Sequence, residues 1–269
     1  MASESPAASD RSAALRHGLL FIVVTSPTWL VTKRFPVLQA VPLLGIMLGV
    51  TLLFLWWDKR SPAVLGLDPK PRRLGELALG WLGGMVLVGI IAVAMYFALP
   101  FPWARNGTFR PDQAAWSVLF LLMANGVEEL VFRGYSFERM IAAIGHWPAQ
   151  IVTALIFAVY HVLHGWDWTS ALIGTTIGSI LFGLVFVRWS SLPAALGVHA
   201  AGNWTRDLLL NDPPTVLTYF APFSVRSWMP LERFTARVVW NAVMFLACVV
   251  MAVVVWRHRK RERLLAARA

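Results

Sequence analysis

The sequence is poor in charged residues and in cysteine. Only 14% of its 269 residues are charged, whereas soluble domains carry about a quarter. Cys248 is the single cysteine, which excludes an intramolecular disulfide framework, so we expect a packing role for it. Hydrophobic residues make up 58% of the chain and the mean hydropathy is +0.62. These features together are typical of a multi-pass membrane protein.

Acidic residues are also few, with 14 against 24 lysines and arginines, a formal net charge of +10. In a soluble protein such an excess would favour nucleic-acid binding. Here the basic residues lie in short connections between apolar runs and in the tail "RHRKRER" (257–263). That distribution predicts membrane orientation beside lipid headgroups, and no nucleic-acid partner.

Apolar runs of about 20 residues predict the membrane spans. The sequence contains eight such runs, at 15–32, 37–57, 76–99, 113–133, 148–165, 169–189, 192–210 and 236–256. We therefore predict an all-α fold, a polytopic transmembrane helix bundle of about eight helices. It would form one domain over 15–256, with a disordered tail at 1–14 and a basic tail at 257–269.

An even number of spans puts both termini on one side of the membrane. The basic tail predicts that this side is the cytoplasm, and we expect the membrane to be a bacterial inner membrane. The cations of the 58–75 connection fall on the same side, whereas Lys33 and Arg34 fall on the other. Small residues at a spacing of four, Gly80 with Gly84 and Gly174 with Gly178, predict close helix packing.

Three of the predicted spans contain polar side chains, although a charge at the centre of a membrane helix costs at least ~2.5–3.5 kcal/mol. The first group lies in "MANGVEELVFRGY" (123–135). Glu129 and Arg133 are four residues apart, so they share a helix face and are predicted to pair. Glu128 points about 100° away from Glu129 and lacks that partner.

The second and third groups each place two functional side chains on one helix face. Phe157 and His161 in "FAVYHVLHG" are four apart, as are His199 and Asn203 in "GVHAAGNW". A carboxylate beside an imidazole can deprotonate water, and a His with an Asn one turn away can donate hydrogen bonds to an oxyanion. These parts suit peptide hydrolysis without a covalent intermediate.

Two common hydrolase signatures are absent, since the sequence contains no G-x-S-x-G and no H-E-x-x-H. A serine nucleophile elbow and a zincin helix are therefore not supported. A zinc site made by Glu128, His161 and His199 remains an alternative. A proton-coupled transporter is a further alternative, although the inverted repeats that it would favour are not visible.

The three polar groups resemble the motifs of a known family. "EELVFR", "FAVYH" and "HAAGN" are similar to the E-E-x-x-x-R, F-x-x-x-H and H-x-x-x-N motifs of the CPBP membrane proteins. That family comprises type II CAAX prenyl proteases and bacteriocin-processing or self-immunity (Abi) proteins, and the resemblance covers residues 113–210. It implies a glutamate-type intramembrane endopeptidase that acts on a membrane-anchored protein or peptide, with a catalytic cavity open to the cytoplasm.

The resemblance also implies roles for individual residues. Glu128 would be the general base, assisted by His161 in activating water, and His199 with Asn203 would stabilise the oxyanion. Structural support of the site would come from Glu129, Arg133 and Phe157. No cofactor is expected, with zinc as the alternative because such proteins have also been described as metalloproteases. A non-catalytic immunity protein with the same fold is left open.

Overall fold

The structure is a computed structural model that describes residues 8–27, 40–211, 215–222 and 229–267. Its α-helices are α1 (Ala8–Thr25), α2 (Ala40–Trp57), α3 (Pro71–Ala98), α4 (Pro111–Phe132), α5 (Tyr135–Ile144), α6 (His146–Leu163), α7 (Thr176–Trp189), α8 (Leu192–Leu209) and α9 (Pro230–Ala266). A 3₁₀ turn (Pro62–Leu65) precedes α3, and a π-helical turn (Ser170–Thr175) leads into α7. Strand β1 (Trp103–Arg105) pairs antiparallel with β2 (Phe220–Pro222). The predicted all-α bundle is confirmed.

Within the described residues, six segments are long and apolar enough to span a membrane. They are Ala40–Trp57, Pro71–Ala98, Pro111–Ile144, His146–Leu163, Ser170–Trp189 and Pro230–Ala266. The predicted span at 192–210 forms helix α8 but is not among the six, because polar side chains lower its hydropathy. The chain is a multi-pass membrane protein.

Several boundaries differ from the sequence-based prediction. Helix α1 begins at Ala8, inside the segment predicted as a disordered tail. Helix α9 continues to Ala266, so the basic tail is largely helical. Residues 1–7 and 28–39, which include Lys33, Arg34 and the end of the predicted first span, lie outside the described residues.

Proline sets the start of several helices. Pro71, Pro111 and Pro230 are the first residues of α3, α4 and α9, and Pro193 is the second residue of α8. Proline suits this position because its fixed φ is helical and the first-turn N–H groups have no intrahelical acceptor. The hydroxyl of Ser191 also caps α8 by accepting a hydrogen bond from the Ala194 N–H at 3.3 Å.

Helices α3 and α8 run parallel in direct backbone contact. A Cβ added to Gly80 or Gly84 would collide with the backbone of α8, and a Cβ added to Gly197 would collide with that of α3. We call these three residues the glycine seam. The predicted close packing is confirmed at Gly80 and Gly84, whereas Gly174 and Gly178 have ordinary van der Waals spacing.

The two ends of the bundle differ in chemistry. At the basic end lie the 58–70, 133–146 and 189–192 connections and the last turns of α9, where the Arg259 guanidinium donates to His146 Nδ1 at 2.9 Å. At the opposite end, the hairpin end, lie the β1–β2 pair, the 164–169 connection and the first turns of α9. There the Nη1 of Arg237 lies 3.9 Å from the Oδ1 of Asp167.

Asp58 joins three parts of the basic end. Its Oδ1 lies 2.7 Å from the Nδ1 of His17 on α1, and its Oδ2 accepts hydrogen bonds from the Tyr135 hydroxyl at 2.6 Å and from Arg139 Nη1 at 3.3 Å on α5. Burial acts to raise the pKa of Asp58, but the hydrogen bonds from Tyr135 and His17 and the positive charge of Arg139 outweigh it. The pKa of Asp58 therefore lies below its ordinary value.

Candidate active site

His199 on α8 contacts both glutamates of α4. Its Nδ1 lies 2.8 Å from Glu129 Oε1, and its Nε2 lies 3.7 Å from Glu128 Oε2. An ionised carboxylate can only accept hydrogen bonds, so Nδ1 is the donor to Glu129 and Nε2 is the nitrogen that faces Glu128. Glu128, which the sequence left without the arginine partner of Glu129, lies beside His199 instead.

The predicted pair of Glu129 and Arg133 is present and deeply buried. Arg133 Nη1 lies 3.3 Å from Glu129 Oε1, with both side chains at most 2% exposed. The guanidinium carbon lies 4.4 Å from the ring centroid of Phe157 and 5.2 Å from that of Phe182. None of the three guanidinium nitrogens donates a hydrogen bond to an acceptor among the described residues. The carboxylate and the faces of two aromatic rings therefore hold the cation.

His161 lies in the last turn of α6 with a fixed tautomer. Its Nδ1 lies 2.9 Å from the carbonyl oxygen of Phe157, which can only accept, so Nδ1 carries the proton and Nε2 is left to accept one. The ring packs edge-on against Phe157 and Trp166. His161 and Glu128 line the same cavity. Within the described residues no hydrogen bond or ion pair joins them directly.

The side-chain amide of Asn203 is held by a residue that the sequence motifs do not include. Asn203 Nδ2 donates to Asn125 Oδ1 at 3.2 Å, and Asn125 is buried on α4. An amide nitrogen has two N–H groups, so this bond leaves one for the cavity. The signal for Asn125 was an amide in an apolar run, four residues before Glu129.

Phe182 is the second supporting residue that sequence reasoning missed. Its ring stacks on that of His199, with centroids 4.3 Å apart and planes 19° from parallel. Because α7 carries no motif and the residue is one apolar side chain among many, the sequence offers no signal for this role. Phe182 and Glu129 together fix the orientation of the His199 ring.

The motif residues line a cavity of about 550 Å³. Glu128, His161, His199 and Asn203 form its inner part. The residues below them towards the basic end are all buried and close the cavity on that side: Phe132, Arg133, Tyr135, Phe186 and Leu192. Towards the hairpin end the walls are more polar and partly exposed: Ser170, Arg206, Arg237, Trp240 and Asn241. The cavity therefore opens at the hairpin end.

Because the cavity opens at the hairpin end, two expectations from the sequence cannot both hold. The basic tail predicted a cytoplasmic basic end, and the family resemblance implied a cavity open to the cytoplasm. In the structure the tail and the cavity mouth lie at opposite ends of the bundle, so the two expectations are incompatible. Phe157 contacts His161 and Arg133, and Glu129 contacts Arg133 and His199.

The side chains do not fit a zinc site. Among the described residues, no group of three His, Cys, Asp or Glu side chains is arranged as metal ligands would be. The alternative in which Glu128, His161 and His199 bind zinc is therefore not supported by this arrangement.

Comparison with known proteins shows that part of the chain is similar to one protein family. The family model described as type II CAAX prenyl endopeptidase Rce1-like matches residues 110–205. This range runs from the start of α4 into α8 and contains all three motifs, so the resemblance found over 113–210 is confirmed. A search of curated proteins and a search of solved structures each gave no significant match.

Proposed function

We propose that this chain, as a membrane-embedded endopeptidase of the Rce1-like CAAX type, cleaves its substrate with a water molecule activated by Glu128. The carboxylate takes one proton from the water as the oxygen attacks the peptide carbonyl carbon. The resulting tetrahedral intermediate collapses when the C–N bond breaks. The proton held by Glu128 then goes to the departing amine, so the base is regenerated.

The observation that carries this proposal is the unequal setting of the two glutamates. Glu129 is fully buried and bound to Arg133 and His199, so it is not available to a substrate. Glu128 keeps 18% of its side chain exposed and lines the cavity. A carboxylate that is next to an imidazole and accessible to water has the geometry that a general base needs.

His161 and Glu128 would hold the water from two sides. The Nε2 of His161 accepts a hydrogen bond because its Nδ1 proton is donated to Phe157. A water that donates one hydrogen to Nε2 and the other to Glu128 presents an oxygen lone pair to the substrate. The role of Phe157 is then to fix the tautomer of His161 through its carbonyl and the position of Arg133 through its ring.

His199 and Asn203 would stabilise the oxyanion. They lie one turn apart on α8, so both can point at one oxygen atom. A ring that donates from Nδ1 to Glu129 and from Nε2 to the oxyanion is a cation. Glu129 at 2.8 Å and Glu128 at 3.7 Å are placed to balance that charge. Removing one oxyanion donor typically costs ~10²–10³ in rate.

The substrate class follows from the position of the site inside a membrane bundle. A protein or peptide held in the membrane by an anchor can bring its scissile bond to a cavity that is partly within the bilayer, whereas a freely soluble protein is poorly placed to do so. We propose a membrane-anchored substrate, with the surrounding lipid bilayer as the second partner and a bacterial inner membrane as the location.

Glu128→Gln tests the function directly. We expect cleavage to fall by ~10²–10⁴-fold, because glutamine cannot accept the proton, and His161→Ala to fall comparably. The purified protein in lipid vesicles would be assayed with a farnesylated CaaX peptide and with an unprenylated, membrane-anchored reporter peptide. Glu262→Gln, on the exposed end of α9, is the matched control and should leave the rate unchanged.

Two outcomes would contradict the proposal. The first is that Glu128→Gln keeps more than about a tenth of the parental rate, since the loss of a general base costs at least ~10². The second is that the parent protein cleaves neither type of peptide. Unfolding temperatures measured alongside show that any loss of cleavage comes from chemistry rather than from misfolding.

A further inference from the structure

We propose that the catalytic cavity opens on the extracytoplasmic face of the membrane, so that the bond to be cleaved lies on that side of the substrate's anchor. This inference rests on the proposed function for its catalytic part. Its geometric part, the side on which the cavity opens, stands independently of whether cleavage occurs. It reverses the orientation that the family resemblance implied.

Positive charge is unevenly distributed between the two ends of the bundle. Lysine and arginine are in excess in the cytoplasmic connections of membrane proteins, counted in short loops and close to the span ends. Apart from the buried Arg133, seven such residues of the described chain lie in the connections of the basic end or in the helix turns next to them: Lys59, Arg60, Lys70, Arg72, Arg73, Arg139 and Arg188. Five more lie in the tail at 257–263. The basic end is therefore assigned to the cytoplasm.

The hairpin end has fewer cations, and acidic residues accompany most of them. Its described lysine and arginine residues are Arg105, Arg110, Arg206, Arg233 and Arg237. Arg206 pairs with Asp207 at 2.9 Å and Arg110 with Asp112 at 3.0 Å. Lys33, Arg34 and Arg226 lie outside the described residues, and even if all three were added to this end, the basic end would keep the excess.

The cavity is closed towards the basic end. Arg133 is 1% exposed and Tyr135 is fully buried, and both lie between Glu128 and the basic end. By contrast, the side chain of Arg206 is 35% exposed and that of Arg237 is 43% exposed at the mouth. Water and a polypeptide can therefore reach Glu128 from the hairpin end and not through the basic end.

The side chains at the mouth of the cavity are typical of a membrane–water interface. Trp166 and Trp240 flank it beside the mixed charges of Asp167 and Arg237. Tryptophan is enriched at the level of the lipid headgroups, so the mouth lies near the outer membrane–water interface. The substrate we infer is a polypeptide whose extended segment emerges from its anchor into this layer and enters the cavity from outside the cell.

Single-cysteine labelling in intact cells tests the orientation without any substrate. Cys248→Ser removes the native thiol, and serine can keep the hydrogen bond to the Ile177 carbonyl. Ser170→Cys then reports on the cavity wall, and Ala267→Cys reports on the exposed end of the basic tail. The full chain is expressed in a bacterial host and exposed to a maleimide that cannot cross the membrane, before and after the cells are permeabilised.

We expect Ser170→Cys to be labelled in intact cells and Ala267→Cys only after permeabilisation. The reverse pattern would overturn the proposal, and so would labelling of both positions in intact cells. Failure to label Ser170→Cys even in permeabilised cells would overturn it as well, because the cavity would then not be open to water. The proposed function is tested separately, since adding Glu128→Gln is expected to abolish cleavage and leave the labelling pattern unchanged.

Discussion

At the scale of single residues, His199 explains how two adjacent glutamates come to have different tasks. One ring nitrogen binds the buried carboxylate of Glu129, which is already held by Arg133. The other ring nitrogen faces Glu128, which has access to the cavity. In the proposed mechanism a single imidazole thus separates the structural carboxylate of Glu129 from the reactive carboxylate of Glu128.

Arg133→Ala should destabilise the protein far more than Glu128→Ala. Without the guanidinium, Glu129 becomes a buried charge without its cation, at a cost of about 3–5 kcal/mol. Glu128 is partly exposed and is not paired with arginine, so its removal should cost much less. Denaturant or thermal unfolding in detergent measures both variants.

Arg110→Ala is the matched control for Arg133→Ala. Arg110 forms an ion pair with Asp112 in which both side chains are more than half exposed. Exposed pairs contribute about 0–1 kcal/mol. Equal unfolding midpoints for Arg133→Ala and Glu128→Ala would contradict the structural role given to Arg133.

The sequence predicted some of these contacts and could not predict others. A spacing of four residues on one helix is enough to predict the pair of Glu129 and Arg133, and the stacking of His199 above Asn203. The bond between Glu129 and His199 joins side chains 70 residues apart. It depends on how α4 packs against α8, which no local periodicity encodes.

At the scale of the helices, the glycine seam should be sensitive to a single methyl group. Gly84→Ala would push α3 away from α8, and we expect a loss of about 1–3 kcal/mol of stability from overpacking. Cleavage should fall as well, because α8 carries His199 and Asn203. Unfolding midpoint and rate would be measured on the same preparation.

Gly89→Ala provides the control on the same helix. A Cβ at Gly89 would meet no atom within 4 Å, so neither stability nor cleavage should decrease. If Gly84→Ala behaved like Gly89→Ala in both measurements, direct backbone contact between α3 and α8 would be disproved.

Asp58→Asn should loosen the attachment of α1 and α5 to the basic end. Asparagine cannot accept all the hydrogen bonds that Asp58 receives from His17, Tyr135 and Arg139, and an unsatisfied buried group costs about 1–3 kcal/mol. Asp112→Asn, in an exposed pair, should cost much less. Thermal unfolding at neutral pH compares the two.

The pH dependence of this difference has a definite sign. The pKa of Asp58 is lower in the folded protein than in the unfolded chain, so its contribution is complete above the unfolded pKa. It is lost as the pH falls through the folded pKa. The gap between the parent and Asp58→Asn should therefore narrow in acid, and a gap that widened would contradict the assignment.

Helix boundaries show what hydropathy alone can predict. Long apolar runs identified the segments of α2, α3, α4, α6, α7, α8 and α9, although α9 extends ten residues beyond its predicted end. Helix α5 was missed because its 10 residues include Glu138 and Arg139 and are too few for a span. It forms because its apolar face packs against α1 and α6 in the bundle. These are tertiary contacts, which hydropathy along the sequence does not predict.

At the scale of the whole molecule, we predict that activity requires no tightly bound metal. The base and the oxyanion donors of the proposed mechanism are side chains, and no group of three His, Cys, Asp or Glu side chains among the described residues is arranged as metal ligands would be. Purified, active protein should contain substoichiometric zinc and should keep its rate after exhaustive chelation. Stoichiometric zinc, with activity lost on its removal and restored on its return, would refute this prediction.

The glycine seam also determines which parts of the molecule can move. Helices α3 and α8 touch through their backbones, with no layer of side chains between them. They cannot slide past one another without a steric collision, so they act as one rigid unit. His199 and Asn203, the proposed oxyanion donors, lie on α8 and would stay in place during turnover. On the proposed function, admission of a polypeptide would then require movement elsewhere at the mouth. The first turns of α9 and the 164–169 connection are the elements that would swing.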